Sequence, residues 1–206
     1  FAAMPPGQRC EMLNIQAEGG TRGAVQKGTG LAARLVARVA GDRRQPLDIS
    51  NLVVGTNCGG SDTLSGLTAT PVVGAAADRL VASGGTVILS EPPELIGAEQ
   101  VLARRAVNDE VRRRIYEITA ATEQLAMKAG VDIRNSEPSP GNKAGGLTTL
   151  EEKSLGAILK GGTSPIRQVV GYAERPTEAG LVIMDSPAHD AVCNTGMVAG
   201  GAQIVV

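Results

Sequence analysis

Leu52-Val53-Val54-Gly55-Thr56-Asn57-Cys58-Gly59-Gly60-Ser61-Asp62 opens the stretch that decides the fold, which runs on past Pro71 to Gly84-Gly85 and Thr86-Val87-Ile88-Leu89-Ser90. A short β-branched run passes into a glycine-rich segment. Pro71 then sits where a first helical turn tolerates proline, ahead of a helix over 72–82 that Gly84-Gly85 closes. A second β-branched run follows at 86–90. Strand, long loop, helix and strand make the unit that joins parallel neighbours, with a right-handed crossover as the default.

The same alternation extends in both directions. Glu91-Pro92-Pro93-Glu94 leads into a predicted helix reaching about residue 106. Val111, Ile115, Ile118, Thr122, Leu125 and Ala129 then recur at three- and four-residue steps, which places them on one face of a helix ending at Gly130. Residues 131–149 show no period and hold two prolines and three glycines; a structureless stretch of ~20 residues inside a compact domain is expected to be functional. Helices are predicted over 150–159 and 165–172, and strands over 181–184 and 202–206. Upstream, Met12, Leu13 and Ile15 predict a strand over 11–17 that breaks at Gly19-Gly20. Thr21 suits an N-cap for an amphipathic helix carrying Val25, Leu31, Ala32, Leu35, Val36 and Val39. The expectation is a single α/β domain over 1–206: a Rossmann-like, mostly parallel sheet flanked by helices in three layers, with no internal repeat and no interdomain linker.

Composition narrows the function. Twenty Lys and Arg against twenty-one Asp and Glu give a net charge of −1, and two Tyr with one Phe are the only aromatics. There is neither a basic excess for phosphates nor a stacking platform for bases, which argues against nucleic acid as a partner. No apolar run approaches the ~20 residues needed to span a bilayer, and no secretory signal pattern is present. Cys10, Cys58 and Cys193 form no CxxC pair and are odd in number, which fits a reducing, cytoplasmic setting. Residue 1 is Phe, and the final apolar run stops without a turn, so the chain is expected to be a fragment of a longer protein.

In an open parallel sheet, ligands sit beyond the carboxyl ends of the strands. Three segments leave predicted strands there: 55–62, Ser90-Glu91-Pro92-Pro93-Glu94, and Asp185-Ser186-Pro187. Together they supply a thiol, hydroxyls and carboxylates, a donor set suited to a divalent cation or a polyhydroxylated substrate. Each has a plainer reading as well: Cys58 as an apolar plug, Asp62 as a helix cap, Glu94 as a first-turn acid. Asn142-Lys143, in a loop stiffened by Pro138 and Pro140, could meet a substrate carboxylate or simply form a turn tip. His189 is the only histidine, which excludes a multi-histidine metal site. Gly28-x-Gly30-x-x-Ala33 imitates a dinucleotide fingerprint but lies inside the predicted first helix, so a nucleotide-binding module is disfavoured. Arg104-Arg105 and Arg112-Arg113-Arg114 read as a solvated face or a contact to another domain, with an anion site as the lesser reading.

These residues carry a resemblance. The segment 55–62, Ser65-Gly66-Leu67-Thr68-Ala69 with Pro71, Ser90-Glu91, Glu94-Leu95-Ile96-Gly97-Ala98-Glu99, the run 138–149, Glu152-Lys153-Ser154-Leu155-Gly156, Asp185-Ser186-Pro187 and Val198-Ala199-Gly200-Gly201 resemble the altronate/galactarate dehydratase family, in family order. Gly19-Gly20-Thr21 fits as well. The resemblance implies a hydro-lyase that takes water from a six-carbon sugar acid of galactarate or D-altronate type, leaving a 2-keto-3-deoxy acid. It implies a divalent metal, Fe2+ first and Mn2+ second. It also implies a small N-terminal domain and a further C-terminal stretch beyond this chain, and a homo-oligomer. The related sulfolactate sulfo-lyase branch implies an alternative leaving group. The chain departs from the family pattern at Gln100, at Ser186 to His189, and at Cys193 and Met197, positions expected to bear on substrate stereochemistry.

Dehydration begins with loss of a proton next to a carboxylate, and the resulting enediolate needs strong charge stabilisation. The resemblance sets Cys58, Asp62 and Glu91 nearest the metal or reacting carbons, with Cys58 and Glu91 as metal ligands. It makes Ser61, Asn142 and Thr148 substrate donors, adds Asp185 to the substrate-binding set, and gives Lys143 a substrate carboxylate. Lys153 would do the same, or serve as the base if burial lowered its pKa. The competing expectation is a scaffold or oligomerisation domain whose catalytic groups lie elsewhere.

Overall fold

The computed structural model describes residues 11–206, so Cys10 lies outside the described residues. The chain divides into two compact units, Phe1–Pro46 and Leu47–Val206. In the first, the strand predicted over 11–17 is instead a set of turns. Asn14 accepts the N–H of Glu18 at its carbonyl and that of Ala17 at its side chain, and Gly20 N–H donates to Ile15 O. Three apolar residues had no neighbouring strand to complete a ladder. Helix α1 follows at Thr21–Val39, capped by Gly20 at φ 95° rather than by Thr21. It contains Gly28, Gly30 and Ala33, as expected of a fingerprint with no strand before it.

The second unit carries the α/β architecture. Its elements run β1 (Val53–Thr56), α2 (Thr63–Leu67), α3 (Ala69–Ala82), β2 (Thr86–Leu89), α4 (Glu99–Ala103), α5 (Asp109–Lys128), α6 (Ile133–Ser136), α7 (Pro140–Ala144), α8 (Leu150–Ile158), β3 (Ile166–Val170), β4 (Gly180–Met184), α9 (Asp190–Ala199) and β5 (Ile204–Val205). All described strand pairs are parallel, and the sheet order is β3-β4-β2-β1-β5. This is the predicted Rossmann-like α/β fold.

Several local expectations change. Residues 165–172 hold β3 rather than a helix: Ile166 and Val170 are buried at the sheet edge, and a five-residue segment with Arg167 and Gln168 between its apolar ends takes its conformation from the strand it pairs with. The helix expected to reach residue 106 is a 3-10 turn at Pro92–Leu95 followed by α4, because two prolines and Gly97 at φ 95° interrupt it. The stretch 131–149 is not structureless. Asp132 caps α6, and Ser139 forms a capping box with Asn142 on α7. Helix α9 was not legible as a separate period.

Strand alternation divides the core. Val87, Leu89, Leu181 and Ile183 face α3 and α5, meeting Leu80, Ile115 and Ile118. Ile88, Val182 and Met184 face α9, meeting Cys193 and Met197. Burying each such side chain is worth about 1.5–3 kcal/mol. Gly55 leaves room for Met197, whose Sδ would lie 2.7 Å from a Cβ at that position. The register Thr56↔Leu89↔Ile183 ends three central strands at one level, and the segments leaving them share one rim.

Candidate functional site

Cys58 and Glu91 meet at that rim. The Cys58 backbone N–H donates to Glu91 Oε2 at 2.9 Å, and Cys58 Sγ lies 2.9 Å from Ser61 Oγ. Glu91 adopts a left-handed backbone, φ 70° and ψ 66°, which side chains other than glycine avoid. The same Oε2 accepts Lys160 Nζ at 3.1 Å, and the two side chains are 3% and 4% exposed. Burial pushes the Glu91 carboxyl above its ordinary range; Lys160 and the Cys58 N–H pull against that shift, while Glu94 adds to it.

The fold commits several elements to placing Lys160. It stands on the 3-10 turn Leu159–Gly161 that ends α8, followed by Gly162 at φ 63°. Asp78 on α3 grips the next residues, accepting the N–H and hydroxyl of both Thr163 and Ser164 at 2.6–2.9 Å. Burial opposes ionisation there, yet these donors hold the Asp78 carboxyl below its ordinary range. Gly74 lets α3 reach the turn: a Cβ would sit 2.0 Å from the Leu159 carbonyl oxygen. On the other face, Ser90 Oγ and Ser186 Oγ are 2.6 Å apart, and Cys193 Sγ lies 3.2 Å from Ser90 Oγ, all three residues being buried.

The remaining predicted residues fall into distinct places. Asn142 reaches the site from 81 residues away, donating from Nδ2 to Ser61 O at 2.9 Å, while its Oδ1 serves the α7 capping box. Asp185 leaves β4, the strand beside β2; burial pushes its carboxyl up and Arg114 partly offsets this. Asp62 is exposed and caps α2, accepting Ser65 N–H at 2.6 Å. Thr148 is exposed, and its N–H and hydroxyl both donate to Glu152. Lys143 is exposed. Lys153 lies between Glu94 Oε1 at 3.1 Å and Glu137 Oε2 at 2.9 Å. Burial alone would lower its pKa, but the two carboxylates raise it, so the condition for a lysine base is not met. Cys193 and Met197, on α9, are fully buried against the sheet.

Sequence reasoning missed Lys160. On paper it is an ordinary lysine at a helix end, and no spacing marks it as buried. Among the described residues, Cys58 and Glu91 do not make a complete cation site. Glu91 Oε2 is already shared by an ammonium and an N–H, and no three His, Cys, Asp or Glu side chains converge among the described residues. What the arrangement offers is a partly exposed thiol and hydroxyl on a glycine-rich loop, backed by a buried carboxylate–ammonium pair. Among the described residues, no helix is long and apolar enough to cross a membrane.

Comparison with known proteins shows the family. The family model for the C-terminal region of D-galactarate/altronate dehydratases matches residues 49–206. An altronate dehydratase of Bacillus subtilis is 40% identical over 182 residues, 88% of this chain and 36% of the relative. A galactarate dehydratase (L-threo-forming) of Escherichia coli is 40% identical over 203 residues, 98% of this chain and 39% of the relative. The beta subunit of a (2R)-sulfolactate sulfo-lyase of Chromohalobacter salexigens is 42% identical over 161 residues, 77% of this chain and 41% of the relative. The matched regions thus span well under half the length of these curated relatives.

Proposed function

The chain belongs to the D-galactarate/altronate dehydratase family, and from that premise we propose that it supplies part of a hydro-lyase site acting on a six-carbon sugar acid of galactarate or D-altronate type. The observation that carries this reading is the meeting of Cys58, Ser61 and Glu91 at the carboxyl rim, with Asn142 tied in from a distant loop. In the reaction, the proton next to the substrate carboxylate is lost, the neighbouring carbon–oxygen bond breaks, water departs, and the enol becomes a 2-keto-3-deoxy acid. Cys58 and Ser61 are the proposed groups that touch substrate. Glu91 lies behind Cys58. Asp185, just past the end of β4, and exposed Lys143 are the proposed contacts to the far end of the substrate. A divalent metal, Fe2+ or Mn2+, would need ligands beyond Cys58 and Glu91.

Cys58→Ala in the intact enzyme is expected to abolish turnover of the sugar acid while leaving the melting temperature within a few degrees of wild type. Near-normal turnover would remove Cys58 from the site. A second reading, carbon–sulfur cleavage with sulfite as the leaving group, is supported by the sulfo-lyase relative. Assays on galactarate, D-altronate and sulfolactate, with Fe2+ or Mn2+ under reducing conditions, separate the two by which product forms.

A further inference from the structure

We propose that Lys160 is a positioning residue of this site, acting through Glu91 to hold the Cys58 loop in its reactive arrangement. The inference rests on the reading of that loop as the edge that meets substrate.

Three observations carry it. First, Lys160 is a buried lysine, 4% exposed at the side chain, whose ammonium meets Glu91 Oε2 at 3.1 Å. A lysine is kept in such surroundings only when paired. Second, that oxygen is also the acceptor for the Cys58 backbone N–H, so the charge of Lys160 is relayed through a single atom to the residue bearing the thiol. A buried pair with no further duty is often replaceable by apolar side chains at little cost. This one ends on the glycine-rich loop instead. Third, the surroundings are built to fix Lys160: the Gly74 contact brings α3 against its turn, Asp78 clamps the two residues after Gly162, and Glu91 holds a left-handed backbone that turns its carboxylate to the pair. Glu91 then serves as an anion on which two loops close, and Lys160 as the counter-charge that keeps it one.

The test is a cycle in the intact enzyme: wild type, Lys160→Met, Glu91→Gln and the double variant. The rate of iodoacetamide modification at Cys58 is read by peptide mass spectrometry, alongside melting temperature and kcat and KM on galactarate and D-altronate. Each single change is expected to alter Cys58 modification by about 10-fold, and Lys160→Met to lower kcat while KM stays within about 2-fold. The double variant is expected to show the Cys58 modification rate of Glu91→Gln, because a neutral amide leaves Lys160 no charge to hold, and to melt higher than Glu91→Gln, in which the ammonium is buried unpaired. Wild-type modification rates in Lys160→Met, or losses that multiply in the double variant, would overturn the proposal. Should Lys160→Met fail to fold, Glu91→Gln and the double variant still decide it: equal rates support the relay and a further 10-fold difference refutes it. A wild type inactive on every sugar acid would sink the proposed reaction, while the modification cycle would still judge the relay.

Discussion

The segments that leave β1 and β2 end side by side, yet they differ in nearly every physical respect. After β2, Ser90, Glu91 and Pro92 are buried, tied to Ser186 and Cys193 on one face and to Lys160 on the other. After β1, Asn57 and Cys58 are partly exposed, Gly59 and Gly60 are exposed with open space where a Cβ would go, and Asp62 caps the next helix at the surface. One segment is a frame that stores a charge pair away from water. The other is a face that presents a thiol and a hydroxyl. A single hydrogen bond, from Cys58 N–H to Glu91, joins them. The contrast teaches that a carboxylate suggestive of chemistry in the sequence, Glu91, lies behind the edge that presents the thiol rather than on it.

The sharpest way to break this division is to compare stabilities at the two ends of that bond. Glu91→Ala strands the Lys160 ammonium in the interior and is expected to cost about 3–5 kcal/mol in urea unfolding, whereas Cys58→Ala should cost less than about 1 kcal/mol. Equal losses would mean that frame and face are not distinct. Glycines give the next contrast. Gly74→Ala drives a Cβ into the Leu159 carbonyl beneath Lys160 and is expected to cost about 1–3 kcal/mol, while Gly60→Ala meets nothing within 4 Å and should stay within about 0.5 kcal/mol. The smallest effect sharpens the far side of the frame. The Asp78 carboxyl is held below its ordinary 3.8, so its stabilisation is fully present above that value and fades as pH falls through the lower folded value. Asp78→Asn should therefore be less stable than wild type at pH 7, with the gap closing in acid; a gap constant down to pH 2 would show that ionisation of Asp78 contributes nothing.

Legibility in the sequence followed how local each signal is. The periods of α1 and α5, the glycine stop before β2 and the β-branched runs of β1, β2 and β4 depend on neighbours within a few residues, and they led directly to a parallel α/β sheet. Residues 166–170 failed because five residues hold too little period to distinguish strand from helix; pairing with β4 decided the matter. Among site residues, Cys58, Ser61 and Glu91 were legible as segments that must leave adjacent strands. Asn142 was legible as a conspicuous loop residue, although its partner Ser61 was not. Asp62, Thr148 and Lys153 were readable only as chemically able groups, and their hydrogen bonds and ion pairs are made within helix caps and a carboxylate cluster.

By itself the sequence determined most of the alternation of strand and helix around the central strands, the family, and the rim that Cys58 and Glu91 share, because each follows from short-range pattern and from the parallel sheet that pattern compels. Only the tertiary structure decided which of those side chains are exposed and which are spent on one another. Lys160 lies 69 residues from Glu91 along the chain; their pairing exists because α3, the turn after α8 and the end of β2 pack into one interior, where an unpaired charge is too costly to leave.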